Sequence, residues 1–418
     1  MKFYFPDSQD QVSPTYDFIH DEYSPLRVRQ RDDRYAHEVL TQPAYNGVLV
    51  SKAIVDGTIQ GVGKYSMPQR QRLYRLGVRG FFRLPDDVVT LGDCGAFTYV
   101  NEPEPPYSVT EVIDFYSRCG FDAGVSMDHV ILGYRRPGGK GDEDIPEDWM
   151  QRRRTSLRLA EDFLSAVQAQ DSPFEPVGAA QGWDPDSYAD SVRELQAMGY
   201  QRIALGGLVP LKTPDIIACL EAIADIRAPE TELHLLGITR VESMTEFASL
   251  GVTSFDSTSS FRQAFMDDRD NYHTTDTTYA AIRVPQVDAN LALKRAILAG
   301  KVSQRDAIAA ERESLALLRD YDVKKCKLDK ALTAVLEYEA LLGVKKSYAD
   351  LYKRTLEATP WRRCACGLCA KHGIEMAIFR GSERNKRRGF HNLSVLAEKM
   401  KSIHAAMPRP LERTASGR

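Results

Sequence analysis

The 418-residue sequence predicts an α/β fold: a (β/α)8 TIM-like barrel carrying a helical insertion and a small cysteine-bearing subdomain. Three observations predict it. Between residues 47 and 260, short β-rich runs alternate with amphipathic runs, as parallel strands with crossover helices require. Seven or eight such strands in roughly 250 residues suit a barrel better than an open sheet. Past residue 285 the rhythm gives way to charged, Ala/Leu-rich segments of helical pattern, after which three cysteines crowd into residues 364–369.

The elements follow in order. Residues 1–46 are polar, aromatic-rich and weakly periodic, and read as an N-terminal extension packed on the barrel. The barrel core spans 47–284, with strands expected at 47–54, 88–91, 123–127, 176–180, 202–205, 232–236 and 252–255. Between them, Val109, Val112, Ile113 and Tyr116 fall at i, i+3, i+4 and i+7, the spacing of an inward helical stripe, and Tyr188, Val192 and Leu195 repeat it. Gly120, Gly199 and Gly251 stand where helices stop before the next strand, each able to take the left-handed C-cap. A helical insertion at 285–360 holds the segments 291–299, 305–320 and 328–342; residues 361–403 form the cysteine-bearing subdomain and last barrel helix, and 404–418 a polar tail.

Composition narrows the function. With 43% apolar and 27% charged residues, the chain has the balance of a soluble globular protein. Net charge is only −3, yet residues 361–418 carry +9 and the remainder −12, so a basic segment on an acidic body is expected to meet an anion such as nucleic acid. No apolar run approaches the ~18–20 residues of a membrane span, so no membrane partner is expected. The start, Met1-Lys2-Phe3-Tyr4-Phe5-Pro6-Asp7, does not read as a secretory signal. Four cysteines are scattered and three are clustered, which is no disulfide framework; it fits a reducing cytoplasm and one metal site.

That site is Cys364-x-Cys366-x-x-Cys369 followed, after 21 residues, by His391. Three thiolates and one imidazole make a closed tetrahedral set, so a structural Zn2+, one per chain, is expected, and 361–403 becomes a small zinc-binding subdomain. His372, three residues after Cys369, is the alternative fourth ligand. Arg362 and Arg363 abut Cys364, while Arg380, Arg384, Lys386, Arg387 and Arg388 precede His391. A metal pinning these two basic stretches together would make a phosphate-binding patch without sequence readout.

In a parallel barrel, chemistry is done where strands end. Asp93, Asp128 and Asp256 all stand there, joined by Gln181-Gly182 and Gly206-Gly207. Singly, each aspartate is a candidate N-cap for the following helix. Three together, beside glycines that let a flat ligand approach the backbone, point instead to glycosidic chemistry with one carboxylate as nucleophile and one as proton donor and acceptor. Gly57-Thr-Ile-Gln-Gly61-Val-Gly63-Lys64 imitates a phosphate loop, but its first glycine is off register and Tyr65 replaces Ser/Thr. Residues 136–141 are glycine-rich but lack a preceding strand, and read as a barrel loop.

The order Asp93-x-Gly95-x-Phe97, Asp128, Gln181-Gly182, Leu205-Gly206-Gly207-Leu208, Phe255-Asp256 and CxCxxC…His resembles the tRNA-guanine transglycosylase superfamily over roughly residues 47–400, least so over 285–355. Each motif is weak alone; the set is specific. The resemblance implies a barrel with a zinc subdomain near its last strand, exchanging guanine for a 7-deazaguanine through a covalent sugar–enzyme intermediate. It implies Asp256 as nucleophile, Asp93 as general acid/base and Asp128 as reader of the base edge. Gln181, Gly206 and Gly207 would complete the base platform, and Cys364, Cys366, Cys369 and His391 would hold zinc.

Departures shift the expected substrate. Cys94-Gly95-Ala96 stands where bacterial tRNA enzymes carry Ser-Gly-Gly, and Ser257-Thr258-Ser259-Ser260-Phe261-Arg262 replaces their Leu-Pro-Thr-Arg stretch. Val209-Pro210-Leu211-Lys212 is closer to the archaeal style, without archaeal RNA-binding domains after it. The chain is thus most similar to the DNA-modifying branch (the DpdA proteins), which implies insertion of 7-cyano-7-deazaguanine (preQ0) into DNA. An ATPase or other modification-cluster protein is then expected to open the DNA, and a homo-oligomer is compatible. The competing expectations are the same exchange on tRNA and a non-catalytic nucleic-acid-binding subunit.

Overall fold

The β-rich runs form short strands that close on themselves. In a computed structural model, which describes residues 1–6, 10–58, 61–136, 145–343 and 347–406, eight strands make one parallel barrel: β1 Lys2–Pro6, β2 Gly47–Ser51, β3 Val89–Asp93, β4 Ala123–Val125, β5 Glu175–Ala180, β6 Arg202–Leu205, β7 Glu232–Leu235 and β8 Val252–Asp256. Each strand pairs with its neighbours in sequence, and β1 closes the ring against β8 with Lys2, Phe3 and Tyr4 opposite Ser254, Phe255 and Asp256. The (β/α)8 expectation therefore holds. Seven strands were legible; the eighth, β1, lies in the segment read as an extension.

Small and branched residues fill the centre, with Leu49, Leu91, Ala123, Val125, Val177, Ala179 and Ala204 packed around Tyr4. The crossover helices behave as their spacing predicts. Val112, Ile113 and Tyr116 are buried on Val109–Cys119, and Tyr188, Val192 and Leu195 on Pro185–Met198. The first is opened by a capping box, Ser108 with Glu111. Both end on a glycine of positive φ, Gly120 at 68° and Gly199 at 111°. The phosphate-loop imitation is a hairpin in which Gly57–Thr58 pairs with Gly61–Val62. Most of the glycine-rich stretch 136–141 lies outside the described residues.

Backbone contacts divide the chain into two units, the barrel (1–8, 45–258 and 399–418) and a second unit of 9–44 and 259–398. In the second, the expected helices appear as Leu291–Leu298, Gln304–Asp322 and Leu328–Leu341, with Ala349–Ala358 after them. Asp322 fastens them to the cysteine region: its carboxylate accepts from the Trp361 indole at 2.8 Å and from the Ile374 amide at 2.9 Å. Among the described residues, no helix is long and apolar enough to cross a membrane.

Candidate active site and metal centre

The barrel brings the predicted carboxylates to one end. Asp93 ends β3 and Asp256 ends β8, while Asp128, Gln181 and Gly206–Gly207 lie just past β4, β5 and β6. The Ser51 hydroxyl, at the end of β2, donates to Asp93 Oδ2 at 2.7 Å. Burial pushes the Asp93 carboxyl up to about 7, and the fields of Asp128 and Asp256 add to the rise against the Ser51 bond. The resulting acid can give or take a proton near neutrality.

Asp128 is almost wholly buried, and its carboxyl is raised by that burial. Cys94 donates to its Oδ1 at 3.3 Å, and the Gln181 amide donates to its Oδ2. Burial lifts the Cys94 thiol well above its usual range, so it stays a donor. Gln181 in turn accepts the Ile131 amide at 3.1 Å, which fixes its flip. The glycines beside it leave space inside the protein itself. A Cβ on Gly206 would lie 2.1 Å from the Gln181 amide nitrogen, and one on Gly207 2.5 Å from the Ile131 carbonyl. They make room for the hydrogen-bonded pair Asp128–Gln181.

Asp256 accepts the Gly237 backbone amide at 3.0 Å, and His234 Nε2 lies 3.3 Å from the same oxygen. His234 is fully buried, and burial lowers its pKa, so the ring is neutral. Ser254 Oγ sits 2.8 Å from its Nδ1, and Arg202 donates to the Tyr4 hydroxyl at 3.0 Å behind it. A carboxylate can only accept, so in the neutral ring Nε2 carries the hydrogen toward Asp256 and Nδ1 accepts from Ser254. Sequence reading missed Ser51, Cys94 as a donor, and His234. Cys94 adjoins Asp93 in sequence; Ser51 meets Asp93 only across the sheet, and His234 sits mid-strand, where only the inward phase of β7 could have flagged it. Phe97, four residues past Asp93, exposes 51% of its surface, an aromatic face left open.

The metal expectation is met by position. Ligand atoms of Cys364, Cys366, Cys369 and His391 all lie within 4.8 Å of one another. His391 Nδ1 is 3.4 Å from the Cys364 sulfur and 3.5 Å from that of Cys369, against about 3.5 Å between S and N ligands of one tetrahedral zinc. Its Nε2 faces the His273 carbonyl at 2.8 Å, which leaves the Nδ1 lone pair for a metal. His372 is elsewhere, its ring edge-on to Phe18 at 5.1 Å.

The basic patch does not form as expected. Arg380, Arg384, Arg387 and Arg388 are buried. Arg380 pairs with Asp21 at 2.5 Å and Glu311 at 2.6 Å; Arg384 with Asp21 and, at 2.7 Å, Glu375; Arg387 with Glu383. Arg388 donates to the carbonyls of Ala264 at 2.6 Å and Ile378 at 3.0 Å. Lys386 pairs with Asp10 at 3.2 Å, and Arg362 with Asp322 at 3.3 Å. Only Arg362 and Arg363 of the seven are exposed. The helix Gly381–Ala406 turns Arg384, Arg387 and Arg388 inward, against Asp21, Glu375 and Glu383 and against backbone carbonyls, and Arg380 just before it meets Asp21 and Glu311.

A closed parallel barrel with three carboxylates at its carboxyl ends, in a chain that also builds a Cys3His knot, has the parts of a guanine transglycosylase. No protein-family model matches the chain. Against curated proteins it is 48% identical over 404 residues, 96% of each chain, to a DNA-guanine transglycosylase of Salmonella montevideo. The chain belongs to the DNA-guanine transglycosylase family.

Proposed function

We propose that this chain exchanges guanine in DNA for preQ0 by double displacement, with Asp256 as nucleophile and Asp93 as the proton carrier. The carrying observation is the convergence of an anchored carboxylate and a carboxyl raised to about 7 at one barrel end. In the first step the Asp256 carboxylate attacks C1′, the C1′–N glycosidic bond breaks, and Asp93 gives its proton to the departing guanine. In the second, Asp93 takes the ring N–H proton of the incoming base, whose nitrogen displaces Asp256 from C1′. Two inversions retain the anomeric configuration. Asp128, held by Cys94 and Gln181, keeps lone pairs free for the amide and amino edge of the base. Zinc in the Cys3His knot is structural and takes part in no step.

The target sugar must leave the duplex stack, at a cost of roughly a few kcal/mol, so single-stranded DNA is the direct substrate and a partner ATPase would open duplex. The test incubates the chain with labelled guanine or preQ0 and single-stranded DNA, duplex DNA or unmodified tRNA, together with metal analysis. Label in single-stranded DNA and one zinc per chain are expected. Label in tRNA alone would return the chain to the tRNA branch, and label in neither would leave a non-catalytic subunit.

A pH dependence follows. Glycosyl–enzyme formation needs protonated Asp93, so its single-turnover rate should fall about tenfold per unit above pH 7, and release to the new base should fall below it. Asp93→Asn should remove both limbs along with the activity. A carboxyl raised in the folded state favours folding fully below its unfolded value and loses that contribution as pH rises to about 7. The melting advantage of Asp93→Asn over the parent should therefore grow from pH 4 to 7 and level off above; a constant difference would mean that Asp93 is not raised.

A further inference from the structure

Exposed positive charge also gathers outside the C-terminal segment. Residues 64–85 hold Lys64, Arg70, Arg72, Arg75, Arg79 and Arg83 without one Asp or Glu, inside a body whose other charges sum to a clear negative. Four of them, Arg70, Arg72, Arg75 and Arg79, lie on the helix Met67–Phe82, which follows β2 in the barrel unit. Arg72 and Arg79 are engaged, one over the Phe81 ring and one with Asp122 at 2.9 Å. The next turns line a shallow cleft of about 520 Å³ with Arg70, Gln71, Tyr74, Arg75 and, from the neighbouring helix, Arg118.

The one carboxylate in that cleft, Asp56, is already paired to Lys52 at 2.7 Å and accepts the Tyr74 hydroxyl at 3.1 Å. Arg70 lies 3.8 Å from Asp56, and the Arg118 guanidinium sits over the Tyr74 ring at 4.9 Å while pairing with exposed Asp114. Arg75 is exposed and, among the described residues, makes no ion pair. The cleft is therefore open, net positive and floored by an aromatic ring, the combination that tracks a single-stranded backbone. Its position suits that use. Ser51, which donates to Asp93, leads directly into the helical turn Lys52–Asp56, whose last residue lines the cleft.

We propose that Arg70, Arg75 and Arg118 form the phosphate track for single-stranded DNA next to the reacting nucleotide. The inference rests on the DNA reading above, and its test reads binding without catalysis. Anisotropy of a labelled 20-nucleotide single strand is followed at rising salt for the parent, for Arg70→Gln/Arg75→Gln/Arg118→Gln, for Arg75→Glu alone, and for Arg362→Gln/Arg363→Gln. Each phosphate contact contributes about 0.7 to the log–log salt slope of a single strand, so the triple variant should lose about 2 from that slope. At low salt it should bind about 10- to 100-fold more weakly. Arg75→Glu, which breaks no native pair, should bind several-fold more weakly with an unchanged melting temperature. Unchanged affinity and slope in both cleft variants would overturn the proposal, as would a slope lost only in the Arg362/Arg363 variant. Exchange activity with an unaltered slope would sink the track alone; slope loss without exchange activity would sink the reaction alone.

Discussion

Asp256→Asn should lower base exchange by at least about 10⁴-fold while leaving the fold and DNA binding in place. The substitution keeps an acceptor for the Gly237 amide, now 3.0 Å from Oδ1, and for His234, so neither donor is orphaned. What it removes is the negative charge that must form the bond to C1′. Without incoming base, the parent should carry a DNA adduct on a denaturing gel and the variant none. An adduct on the variant would mean that another group is the nucleophile. His234→Leu supplies the internal comparison. It deletes a donor to Asp256 without touching substrate, so kcat should fall about 10- to 100-fold with KM for base and DNA unchanged, and His234→Gln, whose amide can donate, should recover part of the loss. Equal kcat in all three would leave the histidine a packing residue.

Asp21→Asn should destabilise the chain by about 3–5 kcal/mol, because it strips a buried carboxylate from two buried guanidinium groups. Asp21 meets Arg380 at 2.5 Å and also Arg384, with side chains 5% and 1% exposed. Its backbone φ of 58° favours asparagine over alanine as the replacement, so the variant tests charge rather than strain. Burial works to raise Asp21, but Arg384 and Arg380 outweigh it and hold the carboxyl below its usual range. Stability from a lowered carboxyl is present above its unfolded value and lost as pH falls through the folded one. The parent should thus show an acid limb below about pH 4 that Asp21→Asn lacks. Denaturant melts at pH 7 and pH 3 check both statements; equal midpoints at pH 7 would mean that the pair adds nothing to stability.

What could be read from the sequence divides along a physical line. The strands with a regular helix after them were legible, because period 2 and period 3.6 alternate there. Strand β1 was not: Lys2–Pro6 is five residues, ends in proline, and is followed by some 40 residues whose sequence is only weakly periodic, so nothing marks it as a partner for β8. The three aspartates and the CxCxxC…His set were legible because topology or spacing alone brings them together. His234 and Ser51 act through a neighbour, which pattern does not encode. The arginines before His391 misled for the opposite reason. A local run announces charge, but Asp21, Glu311 and Glu375 lie between 9 and 363 residues away from their partners. The basic stretch 64–85 escaped because the acidic remainder of the body masks it in any long tally.

The closure of the barrel by β1 sets an order of events during synthesis. Tyr4 stands opposite Asp256, so the strand that fixes the register of that carboxylate is made about 250 residues before it. At about 5–20 residues per second, that strand waits some 10–50 s for its second neighbour. Through that interval one edge, with Phe3, Tyr4 and Phe5 on it, is open to any other extended segment. Reactivity of the mouth is therefore the last property of the barrel to mature, and slow translation near β8 would lengthen the time that a half-closed sheet is exposed to its neighbours on the same message.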